Sequence, residues 1–332
     1  MAARRPARGR SGAPRAGGGR PSGGQPKGAS GRGRRTGGAA SGAPRSRGAG
    51  RTGAVKPTKT SDRGDKRGRA TALGSTRDKR SDERDDLGGT QIEGRQAVRE
   101  LLIAGKRRVH EVWIANERDT SDVVEDIVQL ARANRVPVVE VSRKKLDYAA
   151  RSEAPQGVLA RADALMPVNF DVLVKRRPGR APFLVAVDGV TDPGNLGAIL
   201  RCCDGAGVDG VVLPRHRSVH VTPTTAKASV GACEHVPMAL VGGLPTALTK
   251  MRELGIWVVG LDDASDKSLF DLGDLATEGI CLVLGAEGAG LSRLVRERCD
   301  VIVGIPMRGR LSSLNVSTAA ALATYEVARH RR

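Results

Sequence analysis

The chain has 332 residues and a net charge of +19, from 55 Lys and Arg against 36 Asp and Glu. No apolar run approaches the roughly 18 residues of a membrane span, and no leader-like apolar core stands near the first residue. The expectation is therefore a soluble, cytoplasmic protein with no membrane partner.

The charge is unevenly spread. Residues 1–86 hold 23 Lys and Arg and 7 Asp and Glu, a net +16, which leaves only +3 for residues 87–332. This first segment is Gly, Arg, Ala, Ser and Pro with almost no large apolar residue. It cannot bury enough surface to offset the entropy of ordering, which predicts a disordered basic tail. Such an arm suits phosphate polyanions, with salt-dependent affinity for RNA.

Residues 87–165 read as a small α/β module. Gln91–Ala104 has helical spacing of Ile92, Val98, Leu101 and Leu102, and Val109–Ala115 reads as a strand. Ser121–Asn134 reads as a capped amphipathic helix, Val138–Val141 as a strand, and Gln156–Arg161 as another. Lys106-Arg107-Arg108 is its one basic cluster. Residues 166–182, with Pro167, Pro178 and Pro182, read as a linker carrying a short helical piece.

Residues 183–332 form the second domain. Its apolar runs are short and almost continuous: Phe183–Val187, Gly210–Leu213, Ile256–Leu261, Ile280–Leu284 and Val301–Ile305. Strands buried on both faces read this way, so a mostly parallel sheet covered by helices is expected. Asn315–His330 reads as a final Ala-rich helix.

Three stretches carry chemistry. Asp192-Pro193-Gly194-Asn195 is turn chemistry that opens a helix after Phe183–Val187. On that helix Leu196, Ile199, Leu200 and Cys203 form an inward stripe, and Arg201 lies off it. Gly197, one turn before, is read as leaving room beside the guanidinium. Gly285-Ala286-Glu287-Gly288-Ala289-Gly290 follows a strand, where glycines let a ligand approach the backbone. Its spacing is neither a dinucleotide fingerprint nor a P-loop. Glu287 is read as a site carboxylate or a helix-start carboxylate, the two roles being compatible. Ser313-Leu314-Asn315 gathers small polar groups beyond Val301–Ile305, where Ser313 and Asn315 are natural helix caps. The five cysteines show no CxxC spacing. His216 and His220 are four apart, but Pro214 and Pro223 oppose a helix there, so no metal site is expected.

Together, Asn195-Leu196-Gly197 with Arg201, Leu284–Gly290, Ile305-Pro306-Met307 and Ser313–Ser317 resemble the three signature motifs of the SpoU (TrmH) family, RNA ribose 2′-O-methyltransferases of the SPOUT superfamily. Lys227–Ala232 is also similar, and residues 92–162, opening on Gly94-Arg95-Gln96-Ala97-Val98, resemble the small substrate-binding domain of members acting on ribosomal RNA. Pattern alone favours an unknotted doubly wound sheet. The resemblance implies instead a C-terminal trefoil knot that binds S-adenosylmethionine and forms a homodimer. It implies Asn195, Arg201, Glu287 and Asn315 as catalytic residues, and Gly260, Leu261, Gly285, Ile305, Met307 and Leu314 as cofactor contacts. The implied reaction is 2′-O-methylation of a ribose in RNA, with a guanosine of 23S ribosomal RNA as first choice and transfer RNA as the alternative. From another class, a non-catalytic RNA-binding assembly factor is opposed by the complete set of motif polar residues. In the expected chemistry Arg201 stays charged, because a guanidinium keeps its protons in proteins. Glu287 and Asn315 are expected to hold it and the ribose in place.

Overall fold

The computed structural model describes residues 86–116, 121–216 and 219–331. The basic tail, but for Asp86, lies outside them. The first domain contains β1 (Gln91–Glu93), α1 (Arg95–Ala104), β2 (Val109–Ala115), α2 (Asp122–Ala133), β3 (Val138–Val141), α3 (Arg143–Ala149) and β4 (Val158–Ala162). Its sheet runs β1-β4-β2-β3, with β4 antiparallel to β1 and β2, and β2 parallel to β3.

The helix expected from Gln91 starts only at Arg95. Gly94, at φ 94°, breaks the chain between β1 and α1, and Ile92 enters the core from a strand. Ser121 stands at the start of α2, but its hydroxyl accepts from Arg95 Nη1 at 3.2 Å rather than capping the helix.

The second domain contains α4 (Phe170–Leu173), β5 (Phe183–Val187), α5 (Pro193–Gly205), β6 (Gly210–Pro214), α6 (Pro223–Ala228), β7 (Met238–Val241), α7 (Leu244–Glu253), β8 (Trp257–Leu261), β9 (Ile280–Leu284), α8 (Arg293–Arg296), β10 (Val301–Val303) and α9 (Val316–His330). The six strands are parallel, in the order β10-β8-β9-β5-β6-β7. The continuous apolar runs follow from burial on both faces. Phe183, Val185 and Val187 join the core under α5 and α9, while Leu184 and Ala186 join the core under α7. The last strand stops at Val303, because Gly304 leaves β8 and pairs with Ser268.

One core is continuous across both domains. Leu87, Ile92, Val98 and Leu101 cluster with Val221, Ala226, Cys233 and Leu200. The joining element is α6 with the 3-10 turn Ala232–Glu234 that follows it. At this seam Arg107 and Glu234 form a two-bond ion pair, at 2.5 and 3.1 Å, with side chains only 6% and 1% exposed. Arg107 also donates to the carbonyls of Gly89 and Asp163, each at 2.6 Å. His235 lies 2.9 Å from Glu100 across the same seam.

Candidate active site

Three strand ends, those of β8, β9 and β10, open onto one cleft of about 560 Å³. Its apolar floor is Leu261, Leu284, Val303, Ile305 and Leu314. The rim is polar, with Asp263, Glu287, Ser313 and Asn315.

The glycine turn after β9 closes on itself. Ala286 N donates to Gly290 O at 3.0 Å, and Gly290 N returns a bond to Ala286 O at 2.9 Å. A Cβ on Gly285 would lie 2.3 Å from the carbonyl carbon of Gly290. That glycine is therefore needed to fold the turn, before any ligand is considered. Glu287 sits at the exposed tip of the turn rather than at a helix start. The next helix, α8, begins only after Ser292, whose backbone N donates to Asp188 at 2.7 Å.

Two helix caps bring the carboxamides to Glu287. Asp192 caps α5 by accepting from Asn195 N at 2.6 Å, and Pro193 occupies the first turn. Asn315 caps α9, its Oδ1 accepting from Ser317 N at 2.8 Å and from Ser317 Oγ at 2.6 Å. Asn195 Nδ2 then donates to Glu287 Oε2 at 3.2 Å, and Asn315 Nδ2 donates to Asn195 Oδ1 at 3.0 Å. Because a carboxylate only accepts, Glu287 fixes the orientation of Asn195, which in turn fixes Asn315. Ser313, the other candidate cap, caps nothing here.

The structure thus joins three of the four expected catalytic residues and leaves Arg201 apart. Arg201 is exposed on α5, outside the cleft lining, with no hydrogen-bond or carboxylate partner among the described residues. Glu287 and Asn315, expected to hold it, hold Asn195 instead. Gly197 does not make room for the guanidinium. A Cβ there would lie 2.6 Å from Ala228 Cβ and 2.6 Å from Thr225 O, so Gly197 serves the crossing of α5 with α6.

Of the expected cofactor contacts, Leu261, Gly285, Ile305 and Leu314 line the cleft, whereas Gly260 and Met307 do not. A Cβ on Gly260 would meet Leu291, Cys299 and Ile302 at 2.7 to 2.8 Å, so it packs behind the cleft. Sequence reasoning missed the acidic pair Asp262-Asp263, whose signal was its place at the end of β8. Asp262 is ion-paired with Arg296. Asp263 faces the cleft, and partial burial together with neighbouring Asp262 raises its carboxyl above the usual range.

The cleft fits S-adenosylmethionine. Its volume lies within the roughly 300–1,000 Å³ of small-molecule sites, and it is apolar below and polar at its mouth. Asp263 and Glu287 supply negative charge suited to a sulfonium cation. Among the described residues, no three His, Cys, Asp or Glu side chains gather as metal ligands do.

Residues 182–325 match the family described as SpoU rRNA Methylase, and residues 91–168 match the family described as RNA 2′-O ribose methyltransferase substrate binding. A Bacillus subtilis protein named putative TrmH family tRNA/rRNA methyltransferase YacO is 39% identical, over 72% of this chain and 94% of its own. The Pseudomonas aeruginosa 23S rRNA (guanosine-2′-O-)-methyltransferase RlmB is also 39% identical, over 73% of this chain.

 The match to RlmB spans 96% of that protein. The solved structure of the SpoU methyltransferase AviRb from Streptomyces viridochromogenes in complex with AdoMet is 27% identical, with a TM-score of 0.61, covering 77% of this chain and 98% of that one.

Proposed function

The chain belongs to the SpoU rRNA methylase family and is an S-adenosylmethionine-dependent RNA 2′-O-methyltransferase, and from that premise we propose that it methylates a guanosine ribose of 23S ribosomal RNA. The observation that carries the reading is the chain Glu287–Asn195–Asn315, set at the rim of a glycine-lined cleft. When bound, S-adenosylmethionine supplies an electrophilic methyl group. The residues of this chain do the rest by position and charge.

Leu261, Gly285, Ile305 and Leu314 hold the cofactor, with Gly260 packed behind them. Glu287 Oε2 is engaged by Asn195, and Oε1 has no hydrogen-bond partner among the described residues. Oε1 would accept a hydrogen bond from the ribose 2′-hydroxyl, orienting that oxygen, and would take its proton as the methyl group is transferred. Asn315 and Asn195 keep that carboxylate in place. Arg201, outside the cleft lining, remains charged and serves a phosphate of the bound RNA.

The family's trefoil knot, with residues 301–317 as the threaded segment, is part of the same reading, supported by the reach of Asn315 from beyond β10 back to Asn195. So is a homodimer, supported by exposed Leu322 and Tyr325 on α9. The cytoplasm is the proposed location; among the described residues no helix is long and apolar enough to cross a membrane. The tail, residues 1–86, adds salt-dependent RNA affinity.

Transfer of tritiated methyl from S-adenosylmethionine to purified ribosomal and transfer RNA tests the activity, and mapping 2′-O-methyl sites tests the target. Label on a 23S guanosine is expected. Label confined to transfer RNA would move the substrate, and binding without label would remove the activity.

A further inference from the structure

The chain has only 2 tyrosines, 2 tryptophans and 3 phenylalanines, and Tyr148 is 94% exposed. It stands on α3 within Arg143-Lys144-Lys145-Leu146-Asp147-Tyr148. Leu146 anchors the helix by packing with Val141 and Leu159 beside Trp113. Lys144 and Lys145 precede Tyr148 by four and three positions, so they share its flank of the helix. Lys145 also lies over the Trp113 ring at 5.0 Å, as does Arg161 at 4.7 Å. Two neighbouring carboxylates are engaged elsewhere: Asp147 with Arg143 at 3.2 Å and Glu111 with Arg161 at 3.1 Å. Lys144, Lys145 and Arg151 have no carboxylate partner among the described residues.

The platform is also rigid. Buried Glu93 accepts from Arg151 N at 2.7 Å, Ser152 N at 3.0 Å and Ser152 Oγ at 2.5 Å. Gln91 Nε2 donates to Ala149 O at 3.0 Å. The C-terminal end of α3 is thereby pinned to β1. An exposed π-face beside two ammonium groups that lack carboxylate partners matches the chemistry of an unpaired nucleotide, whose base stacks while its phosphates meet the cations.

We propose that Tyr148, flanked by Lys144 and Lys145, is a stacking platform for an unpaired base of the substrate RNA, outside the methyl-transfer cleft. This rests on the RNA methyltransferase reading. The test measures binding of the full chain to a short single-stranded RNA of mixed sequence and to a duplex of the same sequence, at low and at high salt. Tyr148→Ala is expected to weaken single-strand binding about tenfold, with Tyr148→Phe close to wild type and duplex binding unchanged. The loss should persist at high salt, where contacts of the basic tail fade. Lys144→Ala with Lys145→Ala should weaken both RNAs mainly at low salt. Wild-type binding by Tyr148→Ala, or equal losses on single strand and duplex, would overturn the proposal. Methyl transfer by the wild-type protein is measured in parallel. If it proceeds while Tyr148→Ala binds normally, the platform fails and the activity stands; if no methyl is transferred, it is the activity that fails.

Discussion

Asn315 Nδ2 donates to Asn195 Oδ1 at 3.0 Å across 120 positions of sequence. The bond has one polarity only, because the other face of Asn195 must donate to Glu287. Replacing Asn195 by Asp removes that donor and sets a second carboxylate beside Glu287. Methyl transfer is expected to fall roughly a hundredfold in kcat, with cofactor affinity changed little because Asn195 does not line the cleft. Protonation of the new carboxyl restores a donor, so the deficit should shrink as pH falls. Single-turnover rates against pH, with cofactor binding by calorimetry, check this. A deficit independent of pH would contradict it.

Gly197 is the contact point of α5 with α6. Gly197→Ala gains helix propensity of about 1 kcal/mol. It also drives a methyl group to 2.6 Å from Ala228 Cβ and Thr225 O. Overpacking of this kind costs about 1–3 kcal/mol, so a net loss of stability is expected in urea unfolding. Activity should fall as well, because α5 carries Asn195. A variant more stable than wild type would show that the crossing relaxes without strain.

Arg107 and Glu234 bind each other at the domain seam with almost no exposure. Glu234→Ala leaves the guanidinium buried and uncompensated, for a loss of about 3–5 kcal/mol. Arg107→Met combined with Glu234→Leu should recover part of that loss. Thermal and urea melts of the single and double variants decide. A Glu234→Ala protein as stable as wild type would mean that water replaces the pair.

Thiol reactivity follows burial. Burial pushes the Cys203 and Cys281 thiols far up, and Cys233 and Cys299 up to about 12. Cys202 is also raised by burial, but Arg201 offsets part of the shift. Alkylation of the native protein at mildly alkaline pH is therefore expected at Cys202 first, with Cys203, Cys233 and Cys281 labelled only after unfolding. Peptide mass spectrometry reads the order. Early labelling of Cys281 would reveal opening of the sheet core.

The central strands were legible because both faces are buried, which makes Phe183–Val187 and Ile280–Leu284 continuous apolar runs. Short elements were not. Helix α3 has 7 residues and buries only Leu146, too little for a period to register. Strand β7 has 4 residues, an apolar run cut short between Pro237 and the Gly242-Gly243 pair. The site polar residues were visible through their motifs, yet their partners were not. Asn195 meets Glu287 and Asn315 only because two helix caps and one closed turn converge. The buried charges Glu93, Arg107 and Glu234 looked like surface residues, since nothing local in sequence marks a long-range partner.

The seam built on α6 also bears on modularity. Positions 94, 100 and 107 of the first domain meet 227, 231, 234 and 235 of the second. A chimera carrying the first domain of a relative inherits a mismatched lock unless both sets of positions travel together. Separate expression of either domain strips the cover from Glu234 or Arg107. The two halves are thus bound to change in concert, and a graft of RNA specificity between relatives has its natural boundary outside α6, not at the proline-rich stretch that joins the domains.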